Sequence, residues 1–344
     1  MAAGAAAVRA DDGLLLLPPE VAPAPHCADG VQLTFGGAIF GTTWMVRLIA
    51  EPAVAAGLAD ALKQRCEAEL ARIDAQMSPW IGDSTLNCYN ALAPGEALAL
   101  PEPMRAVVDR AVALHGLTGG AFDPFLGAVT DLWGFGPVAV GEGLADPGEC
   151  ARLRRLLAGE ARPRWNGQRL ERAAGFALDL CGIAKGHAVD ALHDLVRATP
   201  GVVAVLVEIG GEAAGFGIKP DAMPWWLELE WPGLFAGRAV AALHGWACAS
   251  SGSDVRFFLH GGRRYSHSMD PLTAEPSDSD LRGASVFDRN CARADALATA
   301  LVVMGSEAAR AFAKRHAIPC LLVPAAPGAE PVISAALREW MVDA

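Results

Sequence analysis

Apolar residues that recur every three or four positions predict the helices of this chain. From Leu58 through Leu62, Cys66, Leu70 and Ile73, the spacing keeps every apolar side chain on one helical face. Glu51-Pro52 is expected to open this helix. Near the C-terminus, similar spacing predicts two consecutive helices, Ala294–Met304 and Ser306–His316.

The strands are predicted by shorter runs that are apolar throughout or alternate with polar residues. Several follow one another without a helix between them, which favours antiparallel pairing. The predicted series is Val202–Ile209, Trp225–Trp231, Arg238–Cys248, Val255–His260 and Leu281–Phe287. Together with the helices, it predicts an α+β fold of mostly antiparallel sheets packed with helices, with two lobes around a cleft. We expect residues 31–344 to form one domain and the Ala- and Pro-rich residues 1–30 to form a flexible tail.

Composition narrows the class of protein. The 344 residues are 52% hydrophobic and 19% charged, which supports a large core and excludes general disorder. A net charge of −11 argues against nucleic-acid binding, which needs a basic surface. The Leu14–Leu17 run is too short for a signal peptide, and no apolar run approaches the roughly 20 residues of a membrane span.

Eight cysteines occur singly, without a C-x-x-C pair, so a zinc site is not expected. Scattered cysteines are typical of a reducing compartment. The sequence therefore predicts a cytoplasmic protein.

The segment Leu178–Asp190 combines a strand end, a glycine turn and a helix start. Gly182 and Gly186 permit close approach of a ligand, and Lys185 stands where unpaired backbone N–H groups favour an anion. With Asp179, these residues could hold a phosphorylated ligand and a cation. A plain helix start is an equally good interpretation, and the spacing of a P-loop is missing.

Two later motifs carry reactive groups. His267 precedes Asp270-Pro271 in a polar loop, where Asp270 or nearby backbone could orient the imidazole as a base. Asp295 and Thr299 fall on one helical face, and their oxygens suit Mg²⁺. Each motif has an ordinary alternative, because a loop histidine is often only hydrogen-bonded and an Asp at a helix start is often a cap.

The order of the motifs resembles the ApbE family, the FAD:protein FMN transferases, from about Gly36 to Gly305. The resemblance rests on Gly-Thr-Thr-Trp at 41–44, Met77-Ser78-x-Trp80, Gly120–Pro124, Trp133–Gly136, Asp179–Gly186, Gly210-Gly211-Glu212, Ser251-Gly252, His267-x-x-Asp270-Pro271 and Asp295-x-x-x-Thr299. It implies a Mg²⁺-dependent reaction in which FAD is cleaved at its pyrophosphate. FMN would pass to a Thr or Ser hydroxyl of an acceptor protein, and AMP would leave.

The resemblance also implies roles for individual residues. Asp295, Thr299 and the backbone carbonyl of Gly182 match metal ligands, and His267, with Asp270, matches the group that activates the acceptor. FAD contacts are implied for Phe40, Trp80, Ala121, Phe122, Asp123, Asp179, Lys185 and Met269. Four positions depart from the family pattern, which usually has Met at Phe40, Tyr at Trp80 and Gly at Cys181 and Ala274.

Other functions remain open at this point. A Mg²⁺-dependent FAD pyrophosphatase would use the same residues and release FMN and AMP. A flavin carrier would need neither metal nor base, so Asp295, Thr299 and His267 argue against it. A serine hydrolase using Ser251 and His267 is remote, because no G-x-S-x-G motif is present.

Overall fold

A computed structural model of the chain describes residues 13–19, 24–137, 144–159, 161–231, 233–235, 238–254 and 256–342. The helices are α1 Leu58–Met77, α2 Thr85–Asn90, α3 Met104–Leu117, α4 Gly127–Leu132, α5 Pro147–Leu157, α6 Ala184–Arg197, α7 Cys291–Arg315 and α8 Ala335–Arg338. The strands are β1 Leu14–Leu16, β2 Val31–Ile39, β3 Thr42–Ala50, β4 Ala97–Ala99, β5 Arg164–Trp165, β6 Arg169–Glu171, β7 Val202–Ile209, β8 Glu212–Phe216, β9 Trp225–Glu228, β10 Ala239–Leu243, β11 Trp246–Gly252, β12 Phe257–His260, β13 Arg263–Ser266, β14 Met269–Asp270, β15 Glu275–Pro276, β16 Leu281–Asp288, β17 Cys320–Pro324 and β18 Val332–Ile333.

The central sheet has eight strands in the order β18-β17-β16-β11-β8-β7-β3-β2, and every neighbouring pair in it is antiparallel. The expected α+β class with antiparallel sheets is confirmed. Strand β7 is apolar almost throughout because both of its faces are covered. Val205 and Val207 enter the main core with the long helices, whereas Ala204 and Leu206 enter a second core on the other face.

Helices α1, α6 and α7 cover the main-core face of the sheet. In α1, the predicted apolar positions Leu62, Cys66, Leu70 and Ile73 are buried, and Leu58 is half-buried against the same core. Helix α7 is two helices joined at Gly305, whose φ of 74° and ψ of 169° are not helical, so the predicted division between Met304 and Ser306 is confirmed. The side chain of Asp190 on α6 accepts hydrogen bonds from the backbone N–H groups of Cys291 and Ala292. This contact fixes the start of α7 against α6.

Three predicted segments differ in the structure. Glu51-Pro52 does not open α1, which begins at Leu58 after Gly57. The expected flexible tail is wrong at Leu14–Leu16, which form a buried strand parallel to β10; residues 1–12 and 20–23 lie outside the described part of the chain. The expected single strand Arg238–Cys248 is two strands in different sheets. Gly245, with a φ of 70°, lies in the turn between them. Without this turn, β10 and β11 could not belong to separate sheets.

By length and hydropathy, α7 is the one helix of the described residues that could cross a membrane. Half of its most apolar window is buried inside the protein, against β11, β16 and α6. Because the core helix of a globular protein has the same properties, this is weak evidence for a span.

The close contact of α6 with α7 gives a stability prediction. A Cβ atom on Gly186 would lie 2.5 Å from the Cys291 carbonyl oxygen and 2.7 Å from the Ala292 Cα, both of them backbone atoms that cannot rotate away. Gly186→Ala should therefore lower the free energy of unfolding by about 1–3 kcal/mol, as overpacking does. Equilibrium unfolding in urea measures this change in free energy. Gly116→Ala is the control, because a Cβ there meets nothing within 4 Å; an equal loss in both variants would contradict the contact.

Candidate active site

The turn between Leu178 and α6 is shaped by the side chain of Asp179. Its Oδ1 accepts the backbone N–H of Cys181 at 2.9 Å, and its Oδ2 accepts the Thr130 hydroxyl at 3.0 Å. The Asp179 N–H donates to the Pro124 carbonyl at 2.7 Å. Both carboxylate oxygens therefore accept hydrogen bonds, and they fix the backbone of residues 180–183 immediately before α6. Thr130, on α4, is a partner that the sequence did not suggest.

Lys185 lies in the first turn of α6 and forms an ion pair that sequence reasoning missed. Its Nζ lies 2.5 Å from Oε1 of Glu212, the first residue of β8. The Glu212 side chain is only 2% exposed, and its Oε2 is buried without a hydrogen-bond partner. The next residue, Gly186, donates its N–H to Asp295 Oδ2 at 3.1 Å. The starts of α6, β8 and α7 therefore meet around one lysine and two carboxylates.

This buried cluster holds two carboxyl groups and one ammonium group. Burial and the nearby Asp295 raise the pKa of Glu212 to about 8, although Lys185 opposes the shift. Glu212 is therefore largely protonated at pH 7. Burial also raises the pKa of Asp295, although Lys185 opposes the shift. For Lys185, burial lowers the pKa, but Glu212 and Asp295 outweigh it and the net shift is upward. With all three groups ionised the net charge is −1, which a bound cation would offset.

The three predicted metal ligands come from two neighbouring segments. Thr299 follows Asp295 by one helical turn on α7, and a Cβ on Gly182 would lie 3.3 Å from Thr299 Oγ1. Ser251 Oγ also lies 3.0 Å from Thr299 Oγ1. No group of three His, Cys, Asp or Glu suited to a metal occurs among the described residues. The candidate donors are instead a carboxylate, a hydroxyl and a carbonyl, a hard-oxygen set that fits Mg²⁺, which takes its other ligands from water and phosphate.

His267 is held by backbone rather than by a carboxylate. Its Nδ1 lies 3.1 Å from the Arg256 carbonyl oxygen, which also accepts the backbone N–H of His267. Because a carbonyl only accepts, Nδ1 carries the proton and Nε2 keeps a free lone pair. Burial lowers the pKa of His267, so the ring is neutral at pH 7. Lys185 lowers this pKa and Asp179 raises it, so both charges lie close enough to the histidine to act on it.

Asp270 does not have the orienting role predicted for it. Its Oδ1 accepts the N–H of Leu272 at 2.8 Å, and its carbonyl accepts the N–H of Ala274 at 2.9 Å, so its hydrogen bonds shape the turn that follows it. Of the two sources the sequence allowed, the loop backbone orients His267. Ala274 has a φ of 57°, and its carbonyl accepts the Trp133 indole N–H. The left-handed backbone explains why glycine is usual at that position.

The predicted FAD contacts divide into accessible and enclosed side chains. Trp80 is 55% exposed beyond the end of α1, with the Arg256 guanidinium 5.8 Å from its ring centroid. Phe40 lies half-buried in the tight turn between β2 and β3, with a φ of 53°. Ala121 is half-buried, whereas Phe122 and Met269 are in the main core.

Asp123 is also enclosed. Its Oδ2 accepts from Arg162 at 2.6 Å and its Oδ1 accepts the Phe125 N–H at 2.9 Å. The carboxylate therefore serves the loop, and any FAD contact at Asp123 or Met269 stays a prediction.

Comparison with known proteins identifies the family. The ApbE family profile matches residues 40–322. The FAD:protein FMN transferase of Vibrio cholerae is 33% identical over 297 residues, covering 85% of this chain and 87% of the relative; that of Haemophilus influenzae is 29% identical, covering 85% and 86%. The apo structure of the Pseudomonas stutzeri flavinyl transferase ApbE superposes with a TM-score of 0.82 at 33% identity, covering 90% of this chain and 97% of the other. The Vibrio cholerae flavin transferase structure gives 0.80 at 30% identity, covering 90% and 99%. The chain belongs to the ApbE family.

Proposed function

We propose that this protein transfers FMN from FAD to a Thr or Ser hydroxyl of an acceptor protein, with Mg²⁺ bound. The acceptor oxygen forms a bond to the phosphorus of the FMN half, the bond from that phosphorus to the bridging oxygen breaks, and AMP leaves with that oxygen. The hydroxyl proton passes to His267 Nε2. The observation that carries the proposal is the meeting of the Asp179–Lys185 turn, the start of α7 and a neutral histidine in one place.

Each residue has a task that its surroundings support. Asp179 fixes the backbone that faces the pyrophosphate, and Lys185 offers an ammonium at the mouth of α6. The exposed Trp80 ring can cover one face of the isoalloxazine. Asp295, Thr299 and the Gly182 carbonyl would hold Mg²⁺, which when bound offsets charge on the phosphate oxygens.

Product analysis tests the reaction. The protein is incubated with FAD, MgCl₂ and a purified acceptor that has one reactive Thr, and the intact mass of the acceptor is measured beside chromatography of the nucleotides. Transfer predicts a gain of FMN less one water, together with AMP. The same acceptor with that Thr changed to Val should gain nothing. Release of FMN and AMP without any gain in mass would assign the FAD pyrophosphatase activity instead.

Ligand preference gives a second prediction. FAD should bind more tightly than FMN or riboflavin, because Trp80 faces the ring whereas Lys185 and the Asp179 turn face the pyrophosphate. Calorimetry measures the three affinities. Lys185→Met should weaken FAD binding by about 10- to 100-fold, the cost of a charged hydrogen bond, and leave riboflavin binding unchanged. Equal affinity of the wild-type protein for FAD and riboflavin would place the pyrophosphate elsewhere.

A reducing compartment such as the cytoplasm is the proposed setting of the reaction. All eight cysteines are free, and five of them are buried: Cys66, Cys150, Cys248, Cys291 and Cys320. Unpaired thiols in a chain of this size are typical of proteins kept reduced. We therefore expect the acceptor to be a protein of the same compartment.

A further inference from the structure

The most exposed apolar side chains of the described residues lie in, or against, the segments that flank His267 in the chain. Leu272 is 81% exposed, Leu259 is 67% exposed and Trp80 is 55% exposed, and no other large apolar side chain in the described ranges exceeds 51%. Leu259 lies on β12 and Leu272 in the turn after β14, whereas Trp80 contacts Arg256. Apolar side chains exposed together at one place are typical of a site that binds another molecule.

The exposure of Leu259 follows from how its hairpin is anchored. In the β12–β13 hairpin, Phe258 and Tyr265 stack with ring centroids 5.1 Å apart, and they pack in turn on Phe135 at 5.5 Å and Trp133 at 5.7 Å. Successive side chains of a strand point to opposite faces, so Leu259 must face solvent while Phe258 is held inward. The chain just before β12 supplies the Arg256 carbonyl that holds His267.

Leu272 lies on a second hairpin, which is held by the same Trp133 that packs on the first. The β14–β15 hairpin begins two residues after His267, and its Ala274 carbonyl accepts the Trp133 indole N–H at 3.0 Å. Asp270 Oδ1 accepts the Leu272 N–H and fixes the turn. Leu259 and Leu272 are therefore presented on two ordered hairpins joined through Trp133, on either side of His267 in sequence.

Charges of both signs border these leucines, and one of the arginines has no ion pair in the described part of the chain. The chain has a net charge of −11, yet Arg256, Arg263 and Arg264 cluster on and beside the β12–β13 hairpin. Arg264 pairs with Asp254, and Arg263 lies 3.3 Å from Asp278. Arg256 has no ion pair among the described residues, and its guanidinium lies over Trp80 and Phe135. The exposed Arg256 is therefore the group that can pair with a carboxylate of a partner.

Building on the proposed function, we propose that Leu259, Leu272 and Arg256 form the docking surface for the acceptor protein. The segment it fits has apolar side chains near its reactive Thr or Ser and acidic residues around them. The acceptor hydroxyl must reach His267 Nε2, so the surface bordering His267 is the one that the acceptor has to cover. A second copy of the chain seated there would shield the base from the acceptor.

A peptide library tests the docking surface. Random peptides with one central Thr and no Ser are incubated with the protein, FAD and MgCl₂, and the flavinylated products are sequenced by mass spectrometry. The wild-type protein should select Leu, Ile, Val or Phe together with Asp or Glu near the Thr. The double variant Leu259→Ser/Leu272→Ser should lose the apolar selection and raise KM for a selected peptide about tenfold, the effect of about 1.4 kcal/mol of lost contact. Calorimetry should show unchanged FAD binding in both proteins.

Met223→Ser is the matched control, because Met223 is 51% exposed on a segment before β9. It should keep the wild-type selection and KM. Selection that is absent in the wild-type protein, or that survives in the double variant, would overturn the docking surface while leaving the transferase intact. A wild-type protein that modifies the purified acceptor but no peptide would overturn docking of a short segment, whereas one that modifies neither would contradict the proposed transfer itself. Light scattering that shows a dimer lost only in the double variant would assign the surface to a second copy.

Discussion

Asp295→Asn is expected to slow FMN transfer by on the order of 10³-fold while leaving most of the FAD affinity in place. A metal ion contributes several kcal/mol to phosphoryl transfer, and each 1.4 kcal/mol is a factor of ten. The amide cannot supply the charge that holds the cation, whereas its oxygen can still accept the Gly186 N–H. Ring stacking on Trp80 does not depend on this residue. Rates measured against Mg²⁺ concentration, with FAD affinity measured separately, test the expectation.

The same substitution should not cost stability. Burial raises the pKa of Asp295, so the ionised carboxylate is held at a free-energy cost in the folded protein at pH 7. An amide removes that cost, and the unfolding temperature without Mg²⁺ should stay equal or rise. Asp190→Asn is the control and should transfer FMN at the wild-type rate. Asp190 is a half-buried carboxylate that also accepts backbone N–H groups at the start of α7 but is not a candidate ligand. Normal turnover of Asp295→Asn at limiting Mg²⁺ would make Asp295 a purely structural residue.

The spacing of apolar residues was sufficient to predict the elements that bury one face along their own length. The α1 face and the break at Gly305 follow from side-chain spacing and from one residue without a Cβ. Leu14–Leu16 could not be found this way, because three residues carry no period and their pairing partner, β10, is more than 200 residues away in sequence. The spacing also could not show that Arg238–Cys248 divides at Gly245, because β10 and β11 pair with strands from distant parts of the sequence.

The candidate site also has residues that the sequence indicated and partners that it did not. The turn at Asp179, the Asp295–Thr299 pair and His267 were recognisable because each motif is short and their order is specific. The partners that set their chemistry were not recognisable, since Glu212 lies 27 residues from Lys185 and Thr130 lies 49 residues from Asp179. The one sequence signal for Glu212 was its place in the Gly210-Gly211-Glu212 motif, which did not show that it pairs with Lys185. The Arg256 carbonyl offered none, because any residue has a carbonyl and only the tertiary fold brings this one to His267.

His267→Asn is expected to lower the rate of FMN transfer by about 10²–10⁴-fold, the usual contribution of a positioned base. The Asn amide can still donate a hydrogen bond, but it cannot take a proton at neutral pH. Binding of FAD and Mg²⁺ should be nearly unchanged, because the imidazole is oriented by the Arg256 backbone and not by the cluster at Asp295. His260→Asn, at the exposed end of β12, is the control and should transfer at the wild-type rate.

The pH profile separates a base from a residue that merely packs. Burial lowers the pKa of His267 from 6.5, and the neutral ring is the form that accepts the proton. The wild-type rate should therefore rise with pH through a transition below 6.5 and be level by neutral pH, because raising the pH deprotonates the imidazole. In His267→Asn this limb should vanish and leave a slow rate without that transition. A variant that transfers FMN at the wild-type rate, or that keeps the same limb, would remove His267 as the base and leave the acceptor hydroxyl to lose its proton directly to water.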